Sequence, residues 1–242
     1  MRTLAIGDIH GCSIALRTLL DVVQPGSDDV LITLGDYVDR GPDSRGVIDM
    51  LISLEKTIQL KPLLGNHEIL FLDAQAGRLD KEAWLRVGGR ETLGSYAPDG
   101  HSLSFENIPP SHLEFLYKRC LRYWETGKHL FVHANANSVF ALSEQSDDWL
   151  FWARFEDSFP HVSGKTLVCG HTAQKSGLPS IRPQAICLDT WAYGEGWLSC
   201  LDVDSGEIVQ ANQIGKVRKL SLAELEITST SLPTQVLGSS PD

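Results

Sequence analysis

Short apolar runs alternate with helix-spaced apolar positions through the first third of the chain. Leu4-Ala5-Ile6 has strand character, and Ala15, Leu19, Leu20 and Val23 then recur along one helix face before Pro25-Gly26 ends the segment. The order repeats with Val30-Leu31-Ile32-Thr33-Leu34 and a helix over about 44–56 carrying Val47, Leu51 and Leu54. A third copy pairs residues 58–64 with an apolar helix over 69–76, and Pro62 assigns that strand to a sheet edge or a strand start. Three strand–loop–helix units in succession predict an α/β fold with βαβ connections and a mostly parallel sheet. The repetition is architectural, with no repeated sequence behind it.

The middle of the chain reads differently. Trp84 to Arg90 closes one short helix, and Pro109-Pro110 opens another carrying Leu113, Leu116 and Tyr117. Residues of about 77–122 are therefore expected to form a helical insert over the site, without chemistry of their own. Strands return at 128–132, 166–169 and 185–188, and 197–203 with 207–211 form a hairpin around Asp204-Ser205-Gly206. From 228 to 242 the chain is Ser, Thr, Pro and Gly with little to bury, so a flexible tail is expected behind a single domain over 1–227.

Polar residues gather where these strands end. The first three loops read Gly7-Asp8-Ile9-His10-Gly11, Gly35-Asp36-Tyr37-Val38-Asp39-Arg40-Gly41 and Gly65-Asn66-His67-Glu68. Later strands deliver His133, His171 and Asp189-Thr190-Trp191. Asp43 is assigned to capping the helix that follows it. Asp36 is not, because a carboxylate at the end of a buried strand is costly unless it is paired or bound to a metal. Asp8, His10, Asp36, Asn66, His133 and His171 form a nitrogen and oxygen donor set that suits manganese, iron or zinc better than calcium. The set exceeds the needs of one ion, so two divalent ions sharing the Asp36 carboxylate are expected.

Two such ions, roughly 3.5–4 Å apart, clamp an in-line displacement at phosphorus, and a water between them becomes acidic enough to supply the nucleophile. Arg40 can then fork onto two phosphoryl oxygens. His67 can protonate the leaving oxygen, with Asp39 orienting its ring. Arg154 is a second candidate cation for the transferring group.

Composition narrows the setting. A net charge of −10 over 242 residues excludes a nucleic-acid backbone as the main partner, but not a small phosphorylated molecule in a local cationic pocket. The five cysteines are scattered without a Cys-x-x-Cys, which points to reduced, packed thiols and a cytoplasmic protein. Cys12, one residue past the first loop, is read as a packed thiol ahead of an oxidation-sensitive one. No stretch is long and apolar enough for a membrane span, and the N-terminus leads straight into a strand instead of a signal peptide.

The three loop motifs resemble the signature motifs of the phosphoprotein phosphatase branch of calcineurin-like metallophosphoesterases, nearest the bacterial and bacteriophage-lambda type. Over about residues 3–191 the resemblance implies a central mixed β-sandwich flanked by helices, with the metal site at the strand C-terminal loops. It implies one ion on Asp8, His10 and Asp36 and the other on Asp36, Asn66, His133 and His171. His67 with Asp39 is similar to the family's acid pair, and Arg40 and Arg154 resemble its phosphate-binding arginines. The implied activity is hydrolysis of phosphoserine and phosphothreonine in proteins, with phosphotyrosine as a further substrate, by attack of a metal-bridging hydroxide. The alternative is a nucleotide hydrolase similar to the symmetrical diadenosine-tetraphosphate hydrolases, which usually depart from the Asp39-Arg40 pair. Two departures, Asn135 after His133-Ala134 and the aromatics of Asp189-Thr190-Trp191-Ala192-Tyr193, remove no ligand but reshape the pocket mouth.

Overall fold

Two β-sheets share one apolar layer in the computed structural model, which describes residues 1–97 and 103–225. In chain order the strands are β1 (Thr3–Ile6), β2 (Val30–Thr33), β3 (Gln59–Pro62), β4 (Tyr123–Glu125), β5 (His129–Val132) and β6 (Thr166–Cys169). They continue with β7 (Ser180–Arg182), β8 (Ala185–Cys187), β9 (Leu198–Asp202), β10 (Glu207–Ala211) and β11 (Val217–Ser221). One sheet has the order β11-β10-β9-β1-β2-β3 and the other β4-β5-β6-β8-β7.

Side-chain alternation explains why these strands read as continuous apolar runs. Ala5, Ile32, Phe131, Val168 and Ile186 point into the layer between the sheets. Their neighbours Leu4, Ile6 and Leu31 pack on the other face against Leu16 and Leu19 of helix α1 (Ser13–Val23) and Val47 and Leu51 of α2 (Ser44–Leu54). Leu130, Val132, Leu167 and Cys187 meet Leu150 and Phe151 of a short helix over Asp147–Phe151. The central strands are therefore covered on both sides. Asp43 caps α2 as expected, its carboxylate accepting the Gly46 N–H at 2.9 Å.

The sheets are mixed, as the family resemblance implies and unlike the mostly parallel core expected from periodicity alone. β1-β2-β3 and β5-β6-β8 run parallel, while β9, β10 and β11 and the edges β4 and β7 are antiparallel. The expected hairpin is β9-β10, and Pro62 ends β3 at the sheet edge, where its missing N–H leaves no ladder bond unmade. β4, β7 and β11 are too short and polar to stand out in the sequence. The third helix, α3 (Asn66–Gln75), begins three residues earlier than expected, so Asn66 and His67 occupy its first turn.

Between β3 and β4 lie helices. α4 (Lys81–Trp84) widens into a π-type turn over Leu85–Gly89 before α5 (Arg90–Tyr96), and Pro110 opens α6 (Pro110–Glu114) at its first position. Trp84, Phe71 and Phe105 pack their rings together at 5.3–6.1 Å between centroids. The expected tail over 228–242 lies outside the described residues. No helix among the described residues is long and apolar enough to cross a membrane. All five cysteines are unpaired, and burial pushes the Cys12 thiol up to about 12, which fits a packed thiol.

Candidate dinuclear metal centre

Backbone strain marks the site before any side chain is considered. Among the described residues eight non-glycine positions have left-handed φ, and six of them are His10, Asp36, Asp39, Arg40, His171 and Trp191. Surrounding contacts hold them there. The Asp36 carbonyl accepts the N–H groups of Ile9 at 3.1 Å and His10 at 2.7 Å, closing the first loop onto the second. At Gly35, with φ +97°, a Cβ would sit 2.7 Å from the Gly65 nitrogen, so only glycine lets the second and third loops approach. The buried Glu68 carboxylate then accepts four N–H groups, from Asp36 (2.8 Å), Tyr37 (2.7 Å), Val38 (3.2 Å) and Gly65 (2.9 Å).

The six expected donors converge. Asp8, His10, Asp36 and Asn66 come from the β1, β2 and β3 loops of one sheet, and His133 and His171 from β5 and β6 of the other. His10 Nδ1 lies 2.9 Å from the Val38 carbonyl and His133 Nδ1 2.8 Å from that of Leu34. A carbonyl only accepts, so both Nδ1 atoms carry the proton and both Nε2 atoms present lone pairs. His10 Nε2 faces Asp36 Oδ2 at 3.3 Å, and His133 Nε2 faces Asn66 Oδ1 at 2.9 Å and Asp36 Oδ1 at 3.4 Å. His171 Nδ1 is 3.0 Å from the same Asn66 oxygen, and its backbone N–H reaches both Asp8 oxygens at 3.0–3.1 Å.

Electrostatics sharpen the same conclusion. Burial lowers His10 to about 3 and His171 to about 4, with His133 moved the same way, so the imidazoles are neutral at physiological pH. Burial, Asp189 and Asp36 raise Asp8 well above the carboxylate range. Asp189 is fully buried beside Asp8, raised by burial to about 6, and its Oδ2 has no hydrogen-bond partner. Acceptors facing acceptors, with an orphaned carboxyl oxygen behind them, are what divalent cations neutralise. Ligand atoms of Asp8, Asp36 and His133, and separately of His10, Asp36 and His67, lie within 4.8 Å of one another, with Asp36 common to both groups. The residues fit a pair of ions.

His67 sits beside this cluster. Its Nδ1 is 2.7 Å from Asp39 Oδ2, and although burial acts against its charge, Asp36 and Asp39 raise it above the ordinary histidine value. Asp39 is held in turn by Trp84 Nε1 at 3.0 Å and Thr92 Oγ1 at 2.7 Å. These partners come from the helical insert, which was expected to carry no chemistry. No local spacing links Trp84 to a carboxylate 45 positions away; the one available signal was an indole in a helix that had to bury it.

Arg40 stays at the site. One guanidinium nitrogen is 3.0 Å from His10 Nε2, and the group lies 4.8 Å from the Tyr193 ring centroid, while Tyr193 packs edge-on against His10 at 4.9 Å. Trp191 stands 6.3 Å from Tyr193, ring centroid to ring centroid. The Arg154 side chain is 69% exposed and its Nε donates to Glu156 at 3.2 Å.

Sequence and fold comparisons agree with this geometry. Residues 1–175 match the calcineurin-like phosphoesterase family. The chain is 46% identical over 79 residues to the symmetrical bis(5'-nucleosyl)-tetraphosphatase of Erwinia tasmaniensis, covering 32% of this chain and 28% of that protein. The corresponding enzyme of Ralstonia nicotianae is 35% identical over 132 residues, covering 54% and 40%. Serine/threonine-protein phosphatase 1 of Salmonella typhimurium is 38% identical over 85 residues, covering 35% and 37%. The alignments thus span less than half the length of these relatives. Two solved structures share the fold at a TM-score of 0.61. One is a provisionally named diadenosine tetraphosphatase, 23% identical with 91% and 93% of the two chains covered. The other is a cold-active protein tyrosine phosphatase, 16% identical with 90% and 78% covered. With its motif loops converging on a carboxylate common to two donor groups, and with most of its length matched, the chain belongs to the calcineurin-like phosphoesterase family.

Proposed function

We propose that this chain hydrolyses nucleoside polyphosphates of the symmetrical dinucleoside tetraphosphate type with two divalent ions, manganese foremost and iron or zinc as alternatives. The convergence of donors from both sheets on Asp36 carries the phosphoesterase chemistry. Likeness to several symmetrical tetraphosphatases supports the substrate class. This reverses the order expected from sequence, where the protein phosphatase reading stood first.

We assign Asp8, His10 and Asp36 to one ion and Asp36, Asn66, His133 and His171 to the other. Such a pair of ions, when bound, polarises a phosphoryl oxygen and acidifies a water to supply the nucleophile. Arg40, backed by the Tyr193 ring, forks onto the phosphoryl oxygens and orients them for in-line attack. His67 has Nδ1 engaged by Asp39, so Nε2 hands its proton to the leaving oxygen. Asp39, buried and held by Trp84 and Thr92, fixes the ring and favours its charged form. Arg154 serves as a second cation once it turns from Glu156. The unpaired cysteines and acidic composition suit a cytoplasmic enzyme acting on a small phosphorylated molecule.

A second reading, a serine/threonine phosphoprotein phosphatase, is favoured by one observation. Asp39 is a carboxylate bonded to His67, and the Asp39-Arg40 pair keeps the form that the phosphatase motif resembles. Protein stripped by chelation and reloaded with single metals separates the readings. Cleavage of diadenosine tetraphosphate at a kcat/KM at least about tenfold above phosphopeptide dephosphorylation supports the first, and the opposite ratio supports the second. Failure to hydrolyse either of these or a simple aryl phosphate in every metal overturns both.

A further inference from the structure

A cleft of ≈ 620 Å³ opens beside the metal-binding cluster and is lined by Arg40, Arg86, Gly88, Arg90, Glu91 and Tyr193 among others. One lining residue is Arg40, with a guanidinium nitrogen 3.0 Å from His10 Nε2, so the cleft reaches the metal-binding cluster. Its wall is the widened turn of the helical insert. The Arg40 N–H donates to the Gly88 carbonyl at 3.2 Å, and Gly88 has φ +122°, where a Cβ would stand 2.5 Å from the Arg40 nitrogen. Only glycine lets the insert approach this closely.

That approach brings Arg86 and Arg90 alongside Arg40. Both are exposed, and neither makes an ion pair with a described residue. They stand four positions apart, a spacing at which like charges repel on a regular helix. Glu91 is the single acid among the residues lining the cleft. Three guanidinium groups gathered against one carboxylate, in a protein of net charge −10, form a local field opposite in sign to the whole. Planar forks are suited to bidentate contact with phosphate oxygens, and the volume is of ligand-site size.

We propose that this cleft is a subsite for a linear phosphate chain. Arg86 and Arg90 bind the phosphates beyond the one attacked, while the Tyr193 ring flanks their path from the centre. The inference rests on the nucleoside polyphosphate reading and deepens it. It makes the insert a specificity device: a substrate with one phosphate reaches Arg40, and one with several engages all three arginines.

The test compares wild type with the R86A/R90A double variant, both saturated with Mn²⁺, on diadenosine tetraphosphate, a phosphopeptide and p-nitrophenyl phosphate. The expected result is a roughly 10- to 100-fold loss of kcat/KM on the tetraphosphate, as for charge-assisted hydrogen bonds removed from a ligand, with the aryl phosphate changed less than about twofold. Equal losses on all substrates, no loss on any, or a loss confined to the phosphopeptide would overturn the assignment. If wild type does not cleave the tetraphosphate at all, the proposed function fails, and the cleft is then judged by inhibition of aryl phosphate hydrolysis in excess Mn²⁺. Inorganic tripolyphosphate is expected to inhibit at least about tenfold more tightly than orthophosphate, with R86A/R90A erasing the difference. Equal inhibition of wild type by the two anions rules the subsite out.

Discussion

His67 Nδ1 and Asp39 Oδ2 lie 2.7 Å apart with both side chains buried. Geometry of this kind sets both the tautomer and the orientation of the ring. His67→Asn should retain two ions yet lose roughly 10²–10⁴-fold in kcat, the cost of removing a general acid. Metal analysis beside steady-state kinetics checks it. Unchanged turnover would take His67 out of the mechanism.

Asp36 is the shared donor, so its charge matters more than its shape. Asp36→Asn keeps a similar volume and an acceptor oxygen but presents a neutral amide to two dications. The variant should fall well below two ions per chain and lose activity with them. Two ions at full occupancy, measured by elemental analysis after gel filtration, would contradict the shared assignment.

Glu68 makes a structural prediction. Its carboxylate receives four backbone N–H groups from two loops, at 2.7–3.2 Å. Glu68→Gln replaces one acceptor oxygen with an NH₂ that faces donors, leaving N–H groups unsatisfied in a fully buried position. Stability should fall by about 1–3 kcal/mol, read from urea unfolding, and metal affinity should weaken in parallel. A variant as stable as wild type would show that water reaches the loops.

Far from the site, Arg2 and Asp29 tie the start of β1 to the turn before β2. Asp29 accepts the Arg2 Nε at 3.0 Å and side-chain NH2 at 2.6 Å, together with backbone N–H groups of Arg2 at 2.7 Å and Gly26 at 3.0 Å. The Arg2 guanidinium holds this carboxyl well below its ordinary value of 3.8, despite partial burial. A depressed folded-state value means that the stabilisation is complete above pH 3.8 and disappears as pH falls through the lower folded value. Because Arg2 is 40% exposed, Asp29→Ala should cost only about 1 kcal/mol at pH 7, and the gap between variant and wild type should narrow in strongly acid solution. A gap independent of pH would assign the loss to packing.

Much of this site is legible in the order of residues alone, for a physical reason. Ligands at strand ends sit next to apolar runs, and a short run followed by glycine and a carboxylate fixes both the strand and the position of its chemistry. Asp8, Asp36 and Asn66 are accessible in that way, and the βαβ units that carry them follow from periodicity. Sheet direction is not, because β9 and β10 are apolar enough to be read as strands but carry no sign of which neighbour they pair with. Glu68, Trp84 and Thr92 also escape. Apart from Gly65, their partners lie 30 to 53 positions away, and a buried glutamate serving backbone N–H groups looks in sequence like any first-turn acid. Arg154 marks the opposite limit: a motif names the residue, but the orientation of a long exposed side chain is set by its nearest acid, Glu156.

The donor set is divided between two layers that meet through apolar contacts. Asp36 and Asn66 ride on one, His133 and His171 on the other, so ions bound as proposed would act as rivets across the seam. Metal loading should therefore raise the thermal midpoint of the protein and chelation should lower it.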